Sequence, residues 1–135
     1  MMRTLFAWLF PAVFGETAPS YGGIQQTHLV SAATTNATLV KNAPGMVYEM
    51  SFFNTNAAAR YVKVFDKATA PVPGTDTPVR TMMAPGSANG AGFVLSFPNG
   101  LQFQNGIGFA LTGAIADNDT TAIGANDCVV NFGYR

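Results

Sequence analysis

The chain has 135 residues, with seven basic and seven acidic side chains, one histidine and one cysteine, and only 10% of its residues are charged; an ordinary soluble domain carries about 25%. A balanced charge with no Lys/Arg cluster excludes the electrostatic footprint of a nucleic-acid binder. One cysteine excludes a disulfide framework or a Cys-based zinc cage, and no apolar run approaches the roughly 18 residues that cross a bilayer.

The most apolar stretch comes first, Met1 to Gly15, MMRTLFAWLFPAVFG. One arginine ahead of an apolar run resembles a signal peptide, but cleavage after Ala18 would put Glu16 at the −3 position, where a small residue is wanted. The segment is therefore expected to stay on the protein, either as a terminal strand or arm packed on its own domain or as an arm docked on a neighbouring subunit. Pro11 limits any helix in it to the stretch from Thr4 to Phe10. Leu5, Phe6, Trp8, Leu9, Phe10 and Phe14 are the candidate partner-binding residues of this arm, since large aromatics anchor interfaces. Residues 1–23 thus form an arm and linker, the linker being Glu16 to Gly23, ETAPSYGG. Residues 24–135 form the folded domain.

From there the pattern is strands and turns. Leu39 and Val40 precede a turn at Asn42-Ala43-Pro44-Gly45. In Val47 to Asn54 the alternation places Tyr48, Met50 and Phe52 on one side and Val47, Glu49, Ser51 and Phe53 on the other. Tyr61 to Lys67 sets Val62 and Val64 against Tyr61, Lys63 and Phe65, and a short strand from Val79 to Met83 follows a Pro/Gly/Thr loop. Beyond the small-residue stretch Gly86 to Gly92, Phe93, Leu95 and Phe97 alternate with Val94 and Ser96. Pro98 marks a turn or an edge there, because it cannot donate to a ladder. Leu101 and Phe103, then Ile107, Phe109 and Leu111, and finally Cys128, Val130, Phe132 and Tyr134 repeat the rhythm. Period-two segments separated by turn signals predict an all-β, antiparallel fold of roughly seven to nine strands. So many amphipathic strands must close on themselves, so the expected architecture is a jelly-roll-like two-sheet β-sandwich or a small barrel.

Chemistry is sparse. A Ser/His/Asp assembly would need His28, and the candidate nucleophiles Ser31 and Ser51 lack the G-x-S-x-G elbow. His28 therefore reads as a surface residue of a loop or strand edge. Cys128, on the apolar face of the last strand, reads as a buried, inert thiol. Asp117, Asn118, Asp119, Asn126 and Asp127 make an oxygen-rich stretch, but without EF-hand spacing or its closing glutamate it reads as a self-capped turn. Glu49 is expected to pair with Arg60 or Lys63 on the next strand. No catalytic residue, metal site or cofactor is assigned, and the expectation is a protein that is not an enzyme.

Three stretches carry a resemblance: LVSAATTNATLVKNAPG (Leu29 to Gly45), FFNTNAAARYVKVFDKATAP (Phe52 to Pro71), and PGSANGAGFVLSFPNGLQFQNGIGFALTG followed by ADNDTTAIGANDCVVNFGYR (Pro85 to Gly113, Ala116 to Arg135). Over about three-quarters of the chain this wording resembles small β-rich structural proteins of tailed bacteriophages. The resemblance implies a virion component, foremost a capsid decoration or cement protein on the outside of the shell, present in many symmetric copies or as a homo-oligomer. Its partner would be the major capsid protein or another virion protein, without nucleic acid or membrane. A tail, baseplate or fibre-attachment part is the alternative. From another class comes a secreted carbohydrate-binding module, with Tyr21, Tyr48, Tyr61 and Tyr134 as stacking platforms.

Overall fold

The computed structural model describes residues 22–135. They form eight strands and no helix: β1 (Gln25–Val30), β2 (Thr38–Lys41), β3 (Gly45–Asn54), β4 (Arg60–Asp66), β5 (Arg80–Ala84), β6 (Ala91–Phe103), β7 (Ile107–Thr112) and β8 (Cys128–Tyr134). The first sheet runs β1-β8-β3-β6 and the second β2-β7-β4-β5. Every ladder is antiparallel. The pairs β1–β8, β2–β7, β3–β6 and β4–β5 are those of one long hairpin rolled around a core, which is the jelly-roll arrangement. The expected two-sheet β-sandwich is the fold.

Alternation explains the core. Met50 and Phe52 of β3, Val130 and Phe132 of β8, Val62 and Val64 of β4, and Ile107, Phe109 and Leu111 of β7 are buried between the sheets. The Phe109 and Phe132 rings stack with centroids 5.1 Å apart, tying one sheet to the other, and Phe52 meets Phe93 edge-on at 5.9 Å. Truncating any of the fully buried phenylalanines to alanine would cost about 3–5 kcal/mol.

One reading of the alternation is corrected. Val47 lies in the core with Met50 and Phe52, 1% exposed, rather than on the side of Glu49. The cause is an extra residue in β3: against β8, Val47 pairs with Tyr134 and Glu49 already with Gly133, so Tyr48 is bulged out, and the register against β6 shifts at the same point, from Val47–Leu101 to Glu49–Ser96. Opposite Tyr48 the partner strand makes an excursion through Phe97 to Gly100, where Gly100 takes φ +76°. Such a bulge changes which face the following residues occupy. Pro98 sits inside this excursion, at an edge as expected, and the runs on either side of it form one irregular edge strand, β6. An edge is where proline is tolerated. β1, whose polar QQTHLV sequence gives little apolar signal, is a full strand carrying His28.

Ion pairing also departs from expectation. Glu49 is exposed on the outside of the first sheet, whereas Arg60 and Lys63 belong to the second. Arg60 instead donates to Asp127 Oδ2 from Nε (3.1 Å) and Nη2 (2.8 Å). Asp127 also accepts the Asn56 amide at 3.1 Å and the Gly124 N–H at 2.9 Å, closing the end of the sandwich where β8 begins.

Candidate interaction surface

The two outward faces of the sandwich differ in kind. On the second sheet, Tyr61, Lys63 and Phe65 point outward from β4, and the register sets Lys63 beside Ala110 and Phe65 beside Gly108. Lys63, Phe65 and Ala110 are nevertheless buried. The segment after β7 covers them from one side: the Lys63 ammonium donates to the Ala116 carbonyl. Burial pulls that ammonium below the ordinary lysine range, against the opposing pull of Asp119 and Asp117. Pro71, in the β4–β5 connection, packs on Gly108, where an added Cβ would come within 3.0 Å of the proline ring.

The covering loops are held by carboxylates. Asp119 accepts the Ala114 N–H at 3.0 Å and the Thr121 hydroxyl at 2.7 Å. Asp76 receives the Lys67 ammonium at 2.5 Å and the Val72 N–H at 2.7 Å. At the far end of β4, Asp66 accepts the N–H groups of Asn105 (2.7 Å), Gln104 (3.0 Å) and Gly106 (3.3 Å). Burial works against ionisation of Asp66, Asp119 and Asp127, yet these hydrogen bonds and, for Asp127, the Arg60 guanidinium hold all three below the usual carboxylate range. The Asp117–Asp127 stretch is thus a set of caps and an ion pair. Among the described residues no three His, Cys, Asp or Glu side chains converge to hold a metal ion.

The outward face of the first sheet carries no such cover among the described residues. Its side chains form rows across the strands. Val30, Val129 and Phe53 lie side by side, with the Phe53 ring over Gly92. The next row is His28, Asn131, Ser51 and Val94. Phe53 is 43% exposed, Val94 60% and Val30 47%, and Glu49 in the third row is the one carboxylate of this face among the described residues. His28 Nδ1 lies 2.6 Å from Asn131 Oδ1, and Asn131 Nδ2 donates to Ser51 Oγ at 2.8 Å. This row borders a groove of about 250 Å³ floored by Gly133. Beside Phe53 a second, open groove of about 370 Å³ runs along Asn89 to Gly92.

This arrangement holds surface groups in place; it does not activate them. Asn131 stands between His28 and Ser51, so the histidine is not bonded to that hydroxyl. The other nucleophile candidate, Ser31, donates to the Gly124 carbonyl at 2.9 Å and accepts the Cys128 N–H at 3.0 Å, which makes it a loop anchor. Cys128 is buried, and desolvation together with the neighbouring Asp127 pushes its thiol up to about 12. Among the described residues the tyrosines do not share a platform: Tyr61 is on the second sheet, Tyr134 packs against the core and the Tyr48 hydroxyl meets Met46 Sδ. Tyr21 and the arm residues Leu5, Phe6, Trp8, Leu9, Phe10 and Phe14 lie outside the described residues.

Sequence reasoning passed over Phe53, Val94, Val129 and Asn131 as surface positions. The usable signal was there: Phe53 and Val94 are large apolar residues on the polar half of an alternation, with no core to explain them. Comparison with known protein families, with curated proteins and with solved structures finds no match.

Proposed function

We propose that this chain is a non-enzymatic structural protein of a phage virion, foremost a capsid decoration protein that docks on the outside of the shell. One observation carries the reading: among the described residues, the sandwich leaves one broad face bare, nearly uncharged and apolar along Val30, Val129, Phe53 and Val94. Exposed apolar patches of this kind mark contact surfaces, and a surface low in charge loses little hydration when it docks. The jelly roll occurs in viral capsid proteins and also in lectins, so fold analogy by itself does not select the partner. The sequence resemblance points to the virion. On a symmetric shell many modest contacts of this face, together with the expected arm contact through Leu5 to Phe14, act as one through effective concentration.

The test adds purified protein to shells that lack it and measures occupancy after sedimentation. The wild type should bind across the shell, and Phe53→Ser should lower the affinity about tenfold, roughly the 1.4 kcal/mol of a central aromatic contact. Unchanged occupancy of the Phe53→Ser protein contradicts docking through this face. No binding to shells, with binding on a glycan array, moves the protein to the carbohydrate-binding class.

A further inference from the structure

The sandwich has four strand edges, those of β1 and β6 in the first sheet and of β2 and β5 in the second. An open edge is a template for another strand, and proteins blunt it with proline, bulges, charges or brevity. Three of these edges are blunted. β6 carries Pro98 and the excursion to Gly100. β2 has four residues, an irregular register between Leu39 and Lys41, and the Lys41 charge. β5 has five residues, begins at Arg80 and is followed by Pro85.

β1 has none of these devices. Its six residues, QQTHLV, contain no proline, glycine, lysine or carboxylate, and its register against β8 is unbroken from Gln25 to Val30. The N–H of Ser31 donates to the Cys128 carbonyl at 2.9 Å. That bond fixes the alternation of the ladder: Gln25, Thr27 and Leu29 turn their backbone groups to β8, and Gln26, His28 and Val30 turn theirs to the open side. No other described strand pairs with these three residues.

We infer that the β1 edge is a self-association surface, on which the β1 strand of a second copy pairs antiparallel about a two-fold axis through His28. The strand is self-complementary in the sense an isologous interface requires. With the axis at His28, Gln26 lies opposite Val30 of the second copy and Thr27 opposite Leu29, so outward residues meet outward ones and inward meet inward. The free N–H and C=O groups of Gln26, His28 and Val30 then all find partners. No formal like charges meet, because the strand has no Lys, Arg, Asp or Glu. The first sheet becomes continuous across two molecules, doubling the bare face. This goes beyond the proposed attachment to a shell and holds or fails independently of it.

The test is the mass of the full chain in solution by light scattering, over increasing concentration, for the wild type, His28→Pro and His28→Cys. Proline at position 28 removes an N–H that faces the open edge and leaves the β8 ladder intact. The inference expects a wild-type dimer, a His28→Pro monomer with a melting temperature within a few degrees of wild type, and a disulfide-linked His28→Cys dimer on mild oxidation. In that register the two Cα atoms would be about 5.5 Å apart, within disulfide reach, and the buried Cys128 does not compete. If His28→Pro fails to fold, cross-linking of His28→Cys decides the matter. A dimer that persists in His28→Pro, or that does not cross-link through position 28, places the interface elsewhere and overturns the inference. A monomeric wild type also overturns it. Slow amide exchange at Gln26, His28 and Val30 in such a monomer assigns the edge to the chain's own leading residues; fast exchange leaves it to a different protein.

Discussion

The outward faces of the two sheets start from the same alternation and end in opposite states. On the second sheet the chain covers its own face, sealing Phe65, Ala110 and the stem of Lys63 beneath its connections. On the first sheet no described residue covers Phe53 and Val94, although each is as apolar as a core residue. The difference lies in connection length. The β4–β5 and β7–β8 connections span residues 67–79 and 113–127, long enough to fold back over the second sheet. Carboxylates then pin them by capping backbone N–H groups. Among the described residues nothing covers that apolar face while its counterpart is sealed, and this contrast is the ground for proposing it as a contact surface.

The comparison breaks most severely at Asp127. Asp127→Ala removes the acceptor of Arg60, Asn56 and Gly124 together and leaves a largely buried guanidinium without its counter-ion, for an expected loss of about 3–5 kcal/mol in urea denaturation. Lys63→Ala should follow at about 2–3 kcal/mol, since it opens a void under the cover and frees the Ala116 carbonyl. Amide exchange should accelerate across residues 113–121 while the first sheet is unaffected.

Acid should act in the same place. The carboxyls of Asp66, Asp119 and Asp127 sit below their ordinary range when folded, so in acid the unfolded chain binds protons first. Their contribution is complete above the unfolded value of about 3.9 and is lost as pH falls through the lower folded values. Urea midpoints should therefore drop between about pH 5 and pH 2, and Asp66→Asn should flatten that slope. The smallest effect belongs to the bare face: Phe53→Ser and Val94→Ser should each change stability by less than about 1 kcal/mol. A larger loss for Phe53→Ser would mean that Phe53 works in folding rather than in docking.

The fold was largely legible because strand alternation is local. Met50 and Phe52, or Phe109 and Leu111, declare their face within a few residues of sequence. Val47 did not, because its burial depends on the bulge at Tyr48, which exists only in the pairing of β3 with its neighbours. Arg60 found Asp127 rather than Glu49 for a similar reason: the pair is separated by 67 positions and joined only when β8 closes the roll. The cover over Lys63 was invisible because Gly, Ala, Thr and Asp loops carry no period. For the candidate surface the sequence offered only oddities, Phe53 and Val94 on otherwise polar sides. The rows joining them to Val30 and Val129 exist only in the register.

The most direct test of the central claim is cryo-electron microscopy of intact virions, reconstructed with the shell symmetry imposed and then relaxed. The account predicts this protein repeated across the shell, with Val30, Val129, Phe53 and Val94 turned toward capsid protein. Density confined to the tail vertex, or shell-wide density with that face turned to solvent, would contradict it.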